Sequence, residues 1–459
     1  MFYDNIIENV PDYKTFLTVD ELDESSKDLA KKYPDVVEIF EAGRSRGNHP
    51  IYCLKIGNGP KNALAFACPH PNEPIGAMML EYFSKALVEN KDFREEMGYT
   101  WYIIKCIDPD GTKLNEGWFK GPFTIYNYAR NFFRPVGHQQ AEWTFPIKYK
   151  KLDFNKPIPE TQALMKLIDE TTPEFMYSLH NAGFGGAYWY ITDDIPKIYD
   201  GLRNAAKKQN VPLNLGEAEA PYCKRFSPAI YLNSGSEESY DYYEKFLGEV
   251  PEGMLTCGTD SSSYAKRKGD TVTLVTELPY FYDPRIEDTS ESDISRRDAI
   301  LKSCEYSLEL NNIIKDTVDD IKDYIPKDNP FMLVLENQIQ SGTDYIEAEK
   351  KWAQEGKEEF LRKAKVSEAF DNLLVTRFYH MLSLGMLIRV CEYELERMDD
   401  SDNKKKDALE KSKEKSEERL KNLSDVLEEK INYSVIPIQK LIRVQLESGL
   451  IVANHIKDN

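Results

Sequence analysis

The sequence predicts an α/β protein with a helical region at its C-terminal end. Up to about residue 285, short apolar or β-branched runs of strand length alternate with segments of helical periodicity. That alternation indicates a sheet with helices on its faces. Beyond Pro330 strand signals almost disappear, and the 459-residue chain is too long for one typical domain. We therefore expect an α/β domain in residues 1–290 and an all-α domain in residues 291–459.

The first half of the α/β part begins with a helix. Thr18 or Asp20 can cap it, and Leu22 and Leu29 share one of its faces. Two strands then flank the turn RSRGNHP, and a buried strand is followed by an amphipathic helix and another buried strand. In order, these elements cover residues 17–33, 36–45, 51–57, 62–70, 76–90 and 99–111.

The second half opens with a loop-rich stretch, residues 112–159, that is dense in Gly, Pro, Asn and aromatic residues. A helix starting at Pro159 and the strand FMYSLHNAG follow. The Gly and aromatic run after that strand predicts a tight turn and a core strand. Residues 270–284 predict a further strand, β-branched from Thr271 to Thr276, that ends at Pro279.

The C-terminal region predicts long helices, in residues 294–325, 373–398, 402–431 and 438–456. The third is highly charged, with only a thin leucine stripe at Leu409, Leu420, Leu423 and Leu427. It lacks sustained heptads, which argues against a long coiled coil. A cap over a cleft, an oligomerisation element and a partner-binding arm remain open as roles for the region.

Composition excludes some partners. A net charge of −19 and a pI of about 5.0 disfavour nucleic acid and anionic membranes, since both are polyanions. No N-terminal signal peptide is evident, and we expect no apolar run of the ~20 residues that span a bilayer. The seven scattered cysteines lack a CxxC pair and favour a reducing compartment. These features predict a cytoplasmic protein.

Reactive side chains follow several predicted strands at the point where each strand ends. His70 and Glu73 come after ALAFAC, His180 ends FMYSL, and Glu277 lies near the end of TVTLVTE. Ligands of open α/β sheets bind outside the carboxyl ends of the strands. We therefore expect these four side chains to lie near one another.

Two histidines and a glutamate are a ligand set that catalytic zinc uses, leaving a fourth position for water. His70, Glu73 and His180 are the candidate ligands, and Glu277 is the candidate general base. Each residue alone has a simpler explanation: a polar turn for H-x-x-E, a partly buried histidine for His180, and a salt-bridged strand end for Glu277. Only the combination favours a metal site.

Residues 12 to about 285 also resemble the zinc metallocarboxypeptidase family, the carboxypeptidase A-like peptidases. The matching stretches occur in the family's order: KKYPDVVEIFEAGRSRGNHPIYCLKIG, HPNE, DPDG, ARNF, SLHNAG and TLVTELP. The resemblance implies a mixed parallel and antiparallel sheet flanked by helices, with one zinc ion per chain. It also implies hydrolysis of a C-terminal amide bond, with His70, Glu73 and His180 as zinc ligands and Glu277 activating the water.

The resemblance further implies that Arg130 binds the substrate's terminal carboxylate, with Asn131 beside it in ARNF. Ala129 departs from the family's asparagine at that position. Arg134 is a second candidate for the carboxylate. Lys120 stands where the family often has an arginine that polarises the carbonyl, although a solvated loop lysine is the simpler interpretation. No clear match is present for the family's mobile tyrosine.

These observations predict a zinc hydrolase that removes C-terminal residues from peptides. A zinc-dependent deacylase of small N-acyl amino acids, similar to the aspartoacylase and succinylglutamate desuccinylase group, is the alternative. An inactive scaffold that binds through its helical domain is a third. We expect a peptide or small amide substrate with a free carboxylate, no nucleic acid or membrane partner, and possible homo-oligomers through the helical region.

Overall fold

A computed structural model of the chain describes residues 3–399 and 402–458. Nine strands form the main sheet: β1 Val37–Arg44, β2 Pro50–Ile56, β3 Lys61–Ala67, β4 Tyr99–Ile104, β5 Phe175–Leu179, β6 Tyr188–Ile191, β7 Arg225–Ser227, β8 Ile230–Leu232 and β9 Val272–Glu277. Their order across the sheet is β1-β2-β4-β3-β5-β9-β6-β8-β7. Parallel and antiparallel pairs both occur, which confirms the expected mixed sheet.

The centre of the sheet is parallel and almost entirely buried. Strand β5 pairs in parallel with β3 on one side and with β9 on the other. In this register Leu179 lies opposite Ala67 on β3 and Thr276 on β9. The carboxyl ends of three strands therefore end side by side at one edge of the sheet.

The flanking helices of the α/β part are α1 Val19–Lys32, α2 Ile75–Glu89, α3 Pro159–Thr171, α4 Pro196–Lys208 and α5 Ser236–Leu247. Thr18 caps α1 as predicted and forms a reciprocal capping box with Glu21. Gly76 lets α2 approach the sheet closely, because a Cβ there would lie 2.5 Å from the Cβ of Leu179. Helices α4 and α5 were not predicted from the sequence.

Shorter helices join these elements, at Asp4–Glu8, Lys91–Met97, Pro109–Lys113, Glu116–Phe119, Ile125–Arg130 and Ser261–Lys266. A small hairpin pairs Ile147–Tyr149 with Leu152–Phe154 inside the loop-rich stretch.

The region after the sheet is helical, as expected. Its long helices are α6 Arg296–Ile321, α7 Pro330–Ala353, α8 Thr376–Leu395, α9 Asn403–Lys430 and α10 Ile438–Lys457. Short helices at Glu358–Leu361 and Val366–Phe370 precede α8, and a π-turn, Asp371–Val375, leads directly into it. Two short strands, Lys363–Lys365 and Ser434–Val435, pair with Glu291–Ser295 and Phe281–Tyr282.

The charged helix α9 packs through a thin stripe, as its sequence predicts. Leu409, Leu420 and Leu427 are fully buried, and Leu423 is partly buried. Three buried serines extend that stripe between the leucines: Ser412, Ser416 and Ser424.

Helix α10 lies against the main sheet rather than with the other C-terminal helices. The Tyr177 hydroxyl on β5 donates to the carbonyl of Gln445 at 2.8 Å. The Trp189 indole on β6 donates to Ser448 Oγ at 3.0 Å. The sheet is thus covered by a helix from the far end of the chain, and the division at residue 290 stays a prediction.

Helix α8 packs closely on the α/β part. A Cβ on Gly183, in the loop after β5, would lie 2.8 Å from the Phe378 ring. The Arg389 guanidinium donates to the carbonyls of Leu114, Asn131 and Phe132 at 2.7–3.0 Å. These contacts anchor the helical region beside the edge where the central strands end.

The π-turn before α8 clamps a loop of the α/β part. Asp371 Oδ2 accepts a hydrogen bond from the Glu217 amide at 2.8 Å. Arg296 on α6 donates to both carboxylate oxygens of Glu217, at 2.8 and 2.7 Å. Ser367 Oγ donates to the Leu215 carbonyl at 3.1 Å. The loop that contains residues 215–217 is therefore held from the helical side.

One expectation about apolar runs is wrong. The helical run Val366–Leu395 has 30 residues and is long and apolar enough, by length and composition, to cross a bilayer. In the structure, 61% of the apolar 18-residue stretch within this run is buried inside the protein. Buried core helices of globular proteins pass the same length test, so this run is weak evidence for a membrane span.

Gly449 tests the packing of α10 on the sheet. A Cβ there would lie 2.6 Å from Cε1 of Tyr177, whose hydroxyl is fixed by Thr276 and Gln445. We expect Gly449→Ala to lower the free energy of unfolding by about 1–3 kcal/mol, although alanine favours helix. Denaturant unfolding measures this. Gly269→Ala, with no atom within 4 Å, is the control; equal losses in both variants would contradict the packing.

Asp371 predicts a pH dependence of stability. Burial, then the charges of Glu217 and Glu368, raise its pKa to about 8. The folded state thus keeps a proton that the unfolded chain releases near pH 4, so this group lowers stability as the pH rises from about 4 to 8. Asp371→Asn stays neutral throughout. We expect it to exceed the wild type in unfolding free energy by at least about 1 kcal/mol at pH 8.

Unfolding at pH 4.5 and pH 8 checks this, since the difference between the two proteins should grow with pH. Asp319→Asn is the control: Lys315 and Lys322 lower the pKa of this exposed carboxyl to about 2, so its loss should not stabilise the protein. Equal stability of Asp371→Asn and wild type at pH 8 would refute the assignment.

Candidate metal centre

The site begins with a turn after β3. The Glu73 amide donates to the His70 carbonyl at 3.1 Å, which closes the turn and brings the two side chains together. His70 Nδ1 lies 3.1 Å from Glu73 Oε1. Both residues are buried. The polar interruption between β3 and α2 thus places a histidine and a carboxylate side by side.

His180 completes the cluster from the end of β5. Its Nδ1 lies 3.1 Å from His70 Nδ1 and 3.0 Å from Glu73 Oε2. Three potential ligand atoms from two segments, 110 residues apart in sequence at the histidines, therefore converge on one point. The sequence prediction that these three residues meet is confirmed.

The donor set fits a zinc ion. Zinc binds histidine nitrogen and carboxylate oxygen at about 2.0–2.2 Å in tetrahedral geometry, which places neighbouring ligand atoms about 3.4 Å apart. With Glu73 Oε2 as the carboxylate ligand atom, the observed separations of 3.0–3.2 Å are close to that value. His70, Glu73 and His180 are the residues that would bind the metal.

A buried relay supports His180 from behind. Its outer nitrogen, Nε2, lies 2.9 Å from Ser178 Oγ, and Ser178 Oγ donates to Glu142 Oε2 at 3.2 Å. Glu142 also accepts hydrogen bonds from the amide and hydroxyl of Ser261, at 3.0 and 2.7 Å. Such partners fix the orientation of a metal-binding histidine. Sequence reasoning missed Glu142, which stands in the loop-rich stretch with no motif around it.

Backbone contacts fix the same two segments. Asn181 Oδ1 accepts a hydrogen bond from the Ile75 amide, at the start of α2, at 3.1 Å. The Tyr280 hydroxyl donates to the Asn72 carbonyl at 3.0 Å. Gln445 Nε2 on α10 donates to the His180 carbonyl at 3.0 Å. The ligand backbone is thereby tied to a helix, to the loop after β9 and to α10.

Glu277 lies beside the cluster at the end of β9. Its Oε1 is 3.9 Å from His180 Nδ1. Burial, followed by the negative charges of Glu73 and Glu219, raises the pKa of Glu277 well above its ordinary value. A carboxyl with a raised pKa is suited to proton transfer near neutral pH.

The pKa values of His70 and Glu73 are lowered, in contrast to that of Glu277. Burial, and then the positive charge of Arg134, lowers the pKa of His70 to about 3, so its ring is neutral at pH 7. Burial acts to raise the pKa of Glu73, but His70 and His180 outweigh it and lower that pKa. A neutral imidazole beside an ionised carboxylate is the protonation state that metal ligands need.

A cavity of about 920 Å³ opens from this cluster toward the helical region. Arg134 lines it, with Nη2 2.7 Å from His70 Nε2 and Nη1 3.5 Å from Glu73 Oε1. Residues of the helical region form the opposite wall, among them Val375, Tyr379 and Leu382. The helical region therefore covers the cleft, which favours the cap among its three possible roles.

The other predicted substrate-binding residues lie outside this cavity lining. Arg130 forms an ion pair with Glu392 on α8, and Asn131 donates to Asn127. Lys120 donates to the Phe16 carbonyl and to Glu21. Their roles stay predictions, and Arg134 is the predicted cation that the structure brings to the cluster.

The candidate metal centre lies in a segment that matches a known protein family. Residues 22–247, which include all three candidate ligands, match the zinc carboxypeptidase family model. This segment belongs to the zinc carboxypeptidase family. Glu277 and the helical region lie beyond the matched segment.

Two curated carboxypeptidases are similar to the chain. Carboxypeptidase SOL1 of Arabidopsis thaliana is 22% identical over 196 residues, covering 40% of this chain and 37% of that protein. Zinc carboxypeptidase A 1 of Anopheles gambiae is 27% identical over 126 residues, covering 24% of this chain and 29% of that protein. The chain thus spans about a third of the length of the curated relatives it matches.

Solved carboxypeptidases show a looser similarity. Carboxypeptidase A from Helicoverpa armigera is 15% identical with a TM-score of 0.36, covering 58% of this chain and 65% of that one. The metallo-carboxypeptidase from Burkholderia cenocepacia is 15% identical with a TM-score of 0.35, covering 59% and 61%.

Removal of one ligand tests the metal centre. We expect His180→Ala to lower zinc affinity more than about tenfold, because two of three protein ligands remain and their orientation relay is lost. Elemental analysis after dialysis against a weak chelator measures this. His138→Ala, which removes a loop histidine near Thr256, should keep wild-type zinc content. Full zinc content in His180→Ala would contradict the site.

Proposed function

We propose that the protein is a zinc-dependent metallocarboxypeptidase that hydrolyses the C-terminal amide bond of peptides, with one zinc ion per chain. The observation that supports this most is the position of Glu277, 3.9 Å from His180 and beside the three converging ligand atoms. A second carboxylate close to a His2Glu set, but outside it, is what general-base hydrolysis needs.

In this proposal each residue has one task. A zinc ion in such a set supplies Lewis acidity and lowers the pKa of water. Glu277 accepts the proton of the attacking water and delivers it to the leaving amine, which its raised pKa favours. Arg134 is the cavity-lining cation nearest the cluster, and its guanidinium would bind a substrate carboxylate in exchange for its contacts to His70 and Glu73.

The cap limits the substrates. Because the helical region forms one wall of the cavity, we propose that a peptide end or a small amide enters and that a folded chain is excluded. We also propose a cytoplasmic location, since all seven cysteines are free thiols, which suits a reducing compartment.

Glu277→Gln separates metal binding from catalysis. We expect this variant to retain zinc and to lose about 10²–10⁴-fold in kcat, because the amide cannot accept the proton. Elemental analysis and peptide hydrolysis assays measure the two properties. Glu359→Gln removes a carboxylate from the opposite wall of the same cavity and should keep its activity. Unchanged turnover in Glu277→Gln would exclude Glu277 as the base.

The substrate class follows from the same assays. Peptides with a free C-terminus should be cleaved, and their C-terminally amidated counterparts should not, since the amide removes the charge that Arg134 would bind. Small N-acyl amino acids form the third set. Preferential hydrolysis of that set would favour the deacylase, and a zinc-loaded protein inactive on all three would overturn the enzyme proposal.

A further inference from the structure

The outer nitrogens of the two candidate histidine ligands face opposite kinds of partner. His180 Nε2 lies 2.9 Å from Ser178 Oγ, and that hydroxyl donates its proton to Glu142. The serine oxygen therefore accepts a hydrogen bond from His180, which places the proton of a neutral His180 ring on Nε2. Nδ1 of His180 keeps a free lone pair toward the cluster, as a metal ligand requires.

His70 has a donor at the equivalent place. Arg134 Nη2 lies 2.7 Å from His70 Nε2. A guanidinium group has N–H donors only and stays protonated, so the imidazole nitrogen must accept this hydrogen bond. The proton of a neutral His70 ring then lies on Nδ1, where Glu73 Oε1 and Oε2 accept it at 3.1 and 3.2 Å. Arg134 thus holds His70 in the tautomer that cannot bind a metal through Nδ1.

A metal ion and Arg134 therefore compete for His70. Nδ1 is the His70 nitrogen that faces Glu73 and His180, so it is the one that would bind the metal. A neutral imidazole that binds through Nδ1 carries its proton on Nε2, and two N–H donors cannot share a hydrogen bond. Metal binding at this cluster and the contact between Arg134 and His70 exclude each other.

Electrostatic repulsion acts in the same direction. Arg134 Nη1 lies 3.5 Å from Glu73 Oε1, so the guanidinium also pairs with the carboxylate ligand. Both His70 and Glu73 are buried, and water therefore screens charges here only weakly. A divalent cation at the cluster would take over the charge of Glu73 and repel the guanidinium.

The backbone beside Arg134 is fixed, so the side chain is the part that can move. Asn115 binds the amide and the carbonyl of Phe133, each at 2.9 Å. Gln140 Nε2 donates to the carbonyl of Pro135 at 2.6 Å. The Arg134 side chain lines the cavity and is 34% exposed. A guanidinium released from His70 therefore turns into the cavity.

We propose that Arg134 is a metal-responsive residue: it binds His70 until zinc takes Nδ1, and it is then released into the cavity to receive the substrate carboxylate. The inference rests on the proposed zinc-dependent function. It follows that zinc and an anionic ligand bind cooperatively, because each raises the affinity of the protein for the other.

Zinc affinity tests the competition. Arg134→Gln removes the guanidinium, and we expect it to bind zinc at least about tenfold more tightly than wild type, since a charged hydrogen bond no longer opposes the ion. Competition with a chromophoric chelator measures this. Lys365→Gln removes another cation of the same cavity lining and should change the affinity less than about twofold, because solvent screens it. Equal or weaker zinc binding by Arg134→Gln would overturn the proposal.

The proton on His70 can also be observed in the wild type. Nitrogen-15 NMR of protein labelled at its six histidines reports which ring nitrogen is protonated, and His70→Gln identifies the His70 signals. We expect Nε2 of His70 to be unprotonated after treatment with a chelator and protonated after zinc is added. The same protonation of Nε2 under both conditions contradicts the exchange.

A simple carboxylate tests the coupling to the substrate. Calorimetric titration with 4-methylpentanoate, which has no amide bond, should show at least about tenfold tighter binding to zinc-loaded than to chelator-treated wild type, and no such difference in Arg134→Gln. A difference that persists in Arg134→Gln means that the carboxylate binds the metal itself. No difference in wild type means that the released guanidinium pairs with a protein carboxylate such as Glu277. Either result overturns the proposal.

These measurements are independent of turnover. A protein that shows the exchange at His70 but cleaves no peptide would lose the proposed hydrolase function and keep this inference. Peptide hydrolysis by a protein whose zinc affinity, histidine protonation and carboxylate binding show no exchange would have the reverse meaning.

Discussion

The parallel register of the three central strands determines where the chemistry of this protein is placed. Ala67, Leu179 and Thr276 lie side by side in the sheet, so the residues that follow them emerge together at one edge. His70, His180 and Glu277 all come within three residues of those positions. A one-residue slip of β5 would point His180 to the opposite face of the sheet, since side chains alternate along a strand. Hydrogen bonding of the sheet thus enforces the geometry of the cluster.

The helical region contacts this edge of the sheet directly and is more than an appended domain. It covers the cleft, supplies Tyr379 to the cavity, and clamps the loop at Glu217 through an ion pair and a hydrogen bond to the backbone. Some of the carboxylates that line the cavity form ion pairs with arginine, and others do not. Glu217, Glu359 and Glu368 have arginine partners, whereas Glu349 on α7 accepts a hydrogen bond from Cys304.

The sequence predicts the metal cluster well because its residues follow strands with strong apolar signals. It does not predict Glu142, which lies in an irregular loop 36 residues before Ser178, its hydrogen-bonding partner. The choice between Arg130 and Arg134 likewise depends on Glu392, a partner far along the chain.

The sequence likewise predicts the elements of the fold better than it predicts how they pack together. Apolar periodicity indicates that residues 438–456 form a buried helix, but not which surface buries it. Only the sheet's shape decides that, through the close approach of Gly449 to Tyr177. Family motifs predict the mixed sheet correctly because several of them overlap its strands or follow them directly, whereas α4 and α5 lie between motifs.

The hydrogen bond from Gln445 to the His180 carbonyl has a consequence for biosynthesis. The two residues are 265 positions apart, so a ribosome makes His180 long before the helix that covers its strand. Until that helix arrives, one face of β5 is uncovered and the contact to the ligand backbone is missing. The surroundings of the cluster are therefore complete only after α10 has been synthesised.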